Sequence, residues 1–170
     1  MRVLVLNAGS ATLKATVLDA PALDPRFERT LDWRADGPTA ERGDAVATML
    51  AAIGDAGLPA SSMGAVGHRV VHGGERFTAP TILDDASVDG IEALSDLARL
   101  HNPPAVATIR AARRALPAVP HIAVFDTAFH ATLPEAARRY PVPDRWFRDL
   151  GVRRYGFHGL AVTSAVRRAG

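Results

Sequence analysis

Apolar and polar positions along the chain follow two rhythms. Residues Arg2 to Asn7 form an apolar run closed by a polar residue, and Leu13 to Leu18 resumes it after a gap holding Gly9 and Ser10. The opening therefore reads as two strands joined by a loop. Phe27 to Trp33 is a weaker strand candidate, and Ala35-Asp36-Gly37-Pro38 behind it is a turn by composition. From Glu41 to Ala56 the apolar residues Val46, Met49, Leu50 and Ile53 return at three- and four-residue spacing. That spacing gives a helix with one apolar face, stopped by Gly57 and Pro59.

Ala65 to Val71 is a further strand, unusual in carrying His68 and Arg69, and Gly73-Gly74 breaks it. Ser87 to Leu100 is helical by periodicity, with Ile91, Leu94, Leu97 and Ala98 on one side, and ends at His101-Asn102-Pro103-Pro104. Pro104 can open a second helix running through Leu116, because proline is tolerated in a first turn. Ile122 to Phe125 is a short continuous apolar strand, of the kind buried on both faces, and it ends at Asp126. After Phe129 the pattern loosens around Pro134, Pro141 and Pro143, and Ala161 to Arg168 closes the chain as a helix. Three strands followed by helix, strand, helix and strand predict a mixed α/β sheet, its early strands joined by hairpins and its later ones crossed over by helices.

Composition narrows the class. The 170 residues are 48% hydrophobic, 22% charged and 6% aromatic, which describes a globular chain rather than a disordered one. No apolar stretch approaches the roughly 20 residues that cross a bilayer, and no secretory pattern opens the chain, so a cytoplasmic location without membrane association is expected. Cysteine is absent, which removes disulfides, thiolate metal sites and cysteine nucleophiles. The formal charge is +2, and the arginines fall in scattered pairs such as Arg113-Arg114 and Arg153-Arg154 instead of one basic stripe. Nucleic acid is therefore not an expected partner, and the arginine pairs read as solvated faces or complements to helix dipoles. His68, His72, His101, His121 and His130 show no paired spacing on one helix, so no zinc site is expected.

The candidate chemistry lies in four places. Asn7-Ala8-Gly9-Ser10-Ala11-Thr12-Leu13-Lys14 is either a plain hairpin connection or a loop that approaches phosphate, with hydroxyls from Ser10 and Thr12 and a charge from Lys14, the only lysine. Arg69 sits where a strand buries its residues, so it requires an anionic partner: either a structural carboxylate or a bound phosphate or carboxylate. Asp126 ends a strand at the edge where open α/β sheets place ligands, the other reading being a helix cap. His158, inside Tyr155-Gly156-Phe157-His158-Gly159, is either a presented imidazole or a structural one.

Five stretches in this order resemble the acetokinase family: Val3-Leu4-Val5-Leu6-Asn7-Ala8-Gly9-Ser10, Gly67-His68-Arg69-Val70-Val71-His72-Gly73-Gly74, Leu100-His101-Asn102-Pro103-Pro104, Val124-Phe125-Asp126-Thr127-Ala128-Phe129-His130 and Arg153-Arg154-Tyr155-Gly156-Phe157-His158-Gly159. The resemblance implies a mixed sheet of the actin-like and sugar kinase ATPase type, a ribonuclease H-like lobe, with residues 1–128 as the first lobe and 129–170 as the incomplete start of a second. It implies reversible transfer of the γ-phosphoryl group of ATP to acetate, with Mg²⁺, giving acetyl phosphate and ADP. Asn7 is then the metal-associated residue; Lys14, with Ser10 and Thr12, lies on the nucleotide side. Arg69 binds substrate, Asp126 and His158 join it as catalytic residues, and Val71, Leu100 and Phe157 form the pocket for the acetate methyl.

Members of the family are longer, two-lobed and typically dimeric through the second lobe. The family's second catalytic arginine, its metal-binding glutamate and most adenosine-binding loops have no counterpart in these residues. The isolated chain is accordingly expected to be inactive, and an anion-binding or structural module stands as the alternative, as does a kinase for propionate or butyrate. Thr12 replaces a common serine, the span from Leu18 to Ala65 is short, and Leu160-Ala161-Val162 replaces a Thr-Ser-His that would add polar groups near the site.

Overall fold

In the computed structural model, which describes residues 1–33 and 39–170, the chain opens with the hairpin β1 (Arg2–Ala8) and β2 (Thr12–Asp19), extended by β3 (Asp24–Asp32). Then follow α1 (Thr39–Asp55), β4 (Met63–Val70), the two-residue β5 (Thr81–Ile82), α2 (Asp85–Glu92), α3 (Asn102–Ala115) and β6 (His121–Phe125). The six strands form one sheet in the order β3-β2-β1-β4-β6-β5. Strands β1, β4 and β6 are parallel, and β2, β3 and β5 run antiparallel to their neighbours. The mixed sheet with an initial hairpin and later crossovers is the one expected from the sequence. The turn expected at residues 35–38 lies outside the described residues.

One face of the sheet carries the core. Period-two geometry sends Leu4 and Leu6 of β1, Val17 of β2, Val66 of β4 and Phe125 of β6 to the same side, where they pack with Val46, Met49 and Ile53 of α1 and with Ile109 and Ala112 of α3. The opposite face, with Val3, Val5, Ile122 and Val124, is half-buried. This explains why β1 and β6 read as continuous apolar runs.

Two expected helices differ from what is found. The helix expected over residues 87–100 ends at Glu92 and gives way to a 3₁₀ turn at Ser95–Leu97. Ser95 and Asp96 are weak helix formers, and the bonds Leu94 N→Ile91 O and Leu97 N→Leu94 O tighten the chain out of the α register. Leu97 is thereby 51% exposed instead of packed on a helix face. The following helix starts at Asn102, two residues before Pro104, with both prolines in its first turn. Beyond β6 the loosely patterned tail holds the short helices α4 (Glu135–Arg138) and α5 (Asp144–Leu150), neither of which the sequence signalled. The closing helix α6 (Gly159–Ala169) begins two residues before the expected Ala161.

Candidate active site

Register brings the candidate residues to one end of the sheet. Asn7 lies directly opposite Lys14 on β2 and beside Arg69 on β4, and Arg69 lies beside Val124 on β6, two residues before Asp126. These are the carboxyl ends of the three parallel strands, where open α/β sheets form their ligand crevices.

Arg69 is held on two sides. Its Nη2 donates to Asp126 Oδ2 at 2.6 Å, its Nε lies 3.2 Å from both carboxylate oxygens, and its Nη1 donates to Asn7 Oδ1 at 3.2 Å. Of the anionic partners weighed for Arg69, the protein carboxylate is therefore one it has, and that carboxylate is itself a candidate site residue. Asp126 caps no helix; its side chain is 2% exposed and serves the guanidinium. A guanidinium has five N–H groups. Three are used here, leaving two for a ligand.

The pair opens onto a cavity of about 370 Å³ lined by Arg69, Asp126, Val71, Leu97, Ala98, His101, Phe157 and His158. One wall is charged and the other apolar. Five of the residues singled out from sequence thus meet in one cavity. Asn7 reaches it only through Arg69. Leu100 is 67% exposed and is not among the lining residues; Leu97 and Ala98, freed by the early end of α2, occupy that wall. Lys14 lies outside the cavity and pairs with Glu28 of β3 at 3.1 Å, both side chains near half exposed. Ser10 lies in the β1–β2 loop and Thr12 is the first residue of β2; Gly9 N→Thr12 O closes the loop, and Trp33 grips it through Trp33 N→Ala11 O and Trp33 Nε1→Ser10 O.

A second tier of residues, not foreseen as site residues, fixes the walls. The Asn102 side chain accepts from His72 N at 3.1 Å and donates to His72 O at 3.0 Å, clamping the chain just past Val71. His72, 2% exposed, meets the rings of Tyr155 and Phe157 edge-on; burial holds its pKa below the usual histidine value. Thr127 Oγ1 accepts from Gly73 N at 3.0 Å. Gly73 has no room for a side chain, since a Cβ there would stand 2.4 Å from the Phe77 carbonyl oxygen. Before Pro-Pro, Asn102 looks like an ordinary helix start, so nothing local marks it as a clamp.

His158 is presented by a strained backbone. It sits at φ 56° ahead of α6, a left-handed conformation that costs a non-glycine residue about 1–2 kcal/mol. The next residue secures it: Gly159 N donates to Asp126 O at 2.9 Å, an approach so close that a Cβ on Gly159 would fall 2.3 Å from that oxygen. The imidazole is thereby tied to the end of β6.

The Acetokinase family model matches residues 2–169. The acetate kinase of Pseudarthrobacter chlorophenolicus is 46% identical over 180 residues, an alignment covering 99% of this chain and 46% of that protein. The solved acetate kinase of Porphyromonas gingivalis superposes with a TM-score of 0.79 at 32% identity, over 93% of this chain and 45% of its own. A propionate kinase from Francisella tularensis gives 0.79 at 27% identity, again over 93% and 45%. This chain thus spans about half the length of the curated relatives it matches. Its sheet is of the actin-like ATPase type, as expected from the sequence.

Proposed function

The chain belongs to the acetokinase family, and from that premise we propose that it forms the acceptor side of a reversible, Mg²⁺-dependent transfer of the γ-phosphoryl group of ATP to acetate. The observation that carries the reading is the cavity in which the Arg69–Asp126 pair faces an apolar wall. A short carboxylic acid has these two halves, a charged head and a methyl tail.

Acetate lies with its methyl group against Val71, Leu97 and Phe157 and its carboxylate toward the two N–H groups of Arg69 that remain after Asp126 and Asn7 are served. Asp126 keeps the guanidinium fork in one orientation, so no rotamer freedom is lost when the substrate arrives. In-line phosphoryl transfer asks a protein chiefly for positioning and for charge near the equatorial oxygens. Arg69 supplies that charge, and the exposed imidazole of His158 stands at the cavity rim within the same site. The apolar wall disfavours longer acids by about 1–3 kcal/mol per methylene.

The donor set suits Mg²⁺. Asn7 Oδ1 and the Asp126 carboxylate, both hydrogen-bonded to Arg69, are hard oxygens at the ends of β1 and β6, the two strands that flank β4, and Mg²⁺ is usually held by one or two protein oxygens together with substrate phosphates. When bound, the ion neutralises charge on the phosphates. On the nucleotide side the reading assigns Lys14, Ser10 and Thr12, and it assigns residues 129–170 to the start of a second lobe. ATP supply makes the cytoplasm the matching compartment. Among the described residues, no helix is long and apolar enough to cross a membrane.

The test is acetyl phosphate formation, trapped as the hydroxamate, from ATP, Mg²⁺ and acetate. The 170 residues are assayed alone and mixed with the part of the Pseudarthrobacter chlorophenolicus enzyme that lies beyond the matched span. Product in the mixture and none from the chain alone is expected; no product in either contradicts the reading. Propionate turned over faster than acetate makes the chain a propionate kinase instead.

A further inference from the structure

Thr127 and Gly156, next in the chain to Asp126 and Phe157 of the acceptor cavity, line with Tyr155 a second cleft of about 180 Å³. Its charged lining is Arg138, Arg153, Arg154 and Glu75, with His130 beside them and the hydroxyls of Thr78 and Thr127. The proposed reaction uses none of these side chains. We propose that this cleft binds a compact phosphate dianion, either free phosphate or the phosphoryl group of a small phosphomonoester.

Charge accounting within the cleft carries the inference. Glu75 is the only carboxylate on the lining, and it is paired with Arg153, whose side chain is 7% exposed and lies over the Tyr155 ring. Arg154 donates only to the Ala137 carbonyl and lies over Tyr140. Arg138 has no carboxylate partner among the described residues and lies near the Phe147 ring. Two guanidiniums therefore face one concavity without a counter-charge, a placement that focuses positive potential in the cleft. The neighbouring Arg139 shows the contrast, being neutralised by both Glu135 and Asp144.

The neutral groups suit an oxyanion as well. Thr127 Oγ1 already accepts from Gly73 N, so its own proton is free to donate. His130 Nε2 lies 3.0 Å from the Phe157 carbonyl oxygen, which can only accept, so the ring donates there and is fixed in place. Forked guanidiniums and hydroxyls match phosphate oxygens. The volume falls below the roughly 300 Å³ at which pockets for drug-sized ligands begin, so the fit is to a small anion and not to a nucleotide.

The test is a titration of the 170-residue chain with inorganic phosphate, and in parallel with glycerol phosphate, followed by backbone amide resonances. Saturable shifts at Gly74, Thr78, Arg154 and Gly156 are expected, and whichever probe binds more tightly identifies the source of the dianion. The Arg138→Gln/Arg154→Gln chain should bind about tenfold or more weakly, and Arg138→Lys/Arg154→Lys should recover most of the loss. Unshifted amides elsewhere in either variant show that it is folded. The absence of saturable shifts at those four amides, or an affinity unchanged in the glutamine variant, overturns the proposal. Shifts confined to Val71, Ala98 and His158 overturn it too, because they report phosphate in the acceptor cavity.

Discussion

Arg69 and Asp126 meet across the ends of β4 and β6 as a multiply hydrogen-bonded pair of unequal exposure: the arginine side chain is 32% exposed, the aspartate 2%. The inequality makes the two halves non-equivalent. Arg69→Ala strands a buried carboxylate and should cost about 3 kcal/mol. Asp126→Ala leaves a guanidinium that can turn to water through the cavity, and should cost about 1 kcal/mol. Urea denaturation of both variants checks the difference; equal losses contradict the role of Asp126 as the buried anchor.

Stability should fall as the solution is acidified below about pH 6.5. His68 and His121 stack in the core with His68 Nε2 2.9 Å from His121 Nδ1, and His121 Nε2 reaches the Leu116 carbonyl. Burial, then the neighbouring His121, lowers the pKa of His68 to about 3, and burial lowers that of His121 as well. Between pH 6.5 and 3 the unfolded chain binds a proton at His68 that the folded chain refuses, which removes up to about 1.4 kcal/mol of stability per pH unit on the way down, and the lowered pKa of His121 acts in the same direction. Urea midpoints at pH 7, 6, 5 and 4 measure the slope. His68→Leu/His121→Leu should flatten it above pH 5, and an unchanged slope would show that these rings do not carry it.

Asn102 is a structural prediction of its own. Replacing it by alanine leaves the His72 amide and carbonyl unpaired at a fully buried position, at a cost of about 2–3 kcal/mol. Thermal unfolding reads this directly. A loss below about 0.5 kcal/mol would mean that the clamp is not needed to hold the Val71 strand end.

Substrate size should respond to Val71. Val71→Ala removes two methyl groups from the apolar wall and so enlarges the cavity, and the ratio of kcat/KM for propionate over acetate should rise about tenfold. Leu100→Ala should leave the ratio unchanged, because that side chain is exposed and does not line the cavity. The opposite pattern would transfer the specificity role to Leu100.

Strong periodicity made most of the fold legible. Three parallel strands, the hairpin and helices α1 and α3 were visible because their apolar spacing reflects burial against a single core face. What stayed hidden depends on tertiary geometry. Ser87 to Leu100 has a continuous helical rhythm, yet the chain tightens at Leu94, and only the folded arrangement puts Leu97 on the cavity wall. β5 is two residues long and exists by pairing with the edge of β6. In the site, Arg69 announced itself as a charge in an apolar strand, and Asp126 as a carboxylate at a strand end. Asn102 and His72 gave no such signal, since their roles rest on hydrogen bonds across 30 residues of sequence. Lys14 stood out by being the only lysine, and the structure pairs it with Glu28 on the surface of the sheet. Such an exposed pair contributes at most about 1 kcal/mol.

The central claim is that the cavity beside Arg69 and Asp126 receives the acid that accepts the phosphoryl group. Its most direct measurement is the rate of acetyl phosphate formation by the chain combined with the remaining part of a relative, wild type against Arg69→Ala, with circular dichroism showing that the variant is folded. A fall of about 100-fold or more is the predicted result, and a folded Arg69→Ala chain that keeps the wild-type rate would contradict the claim.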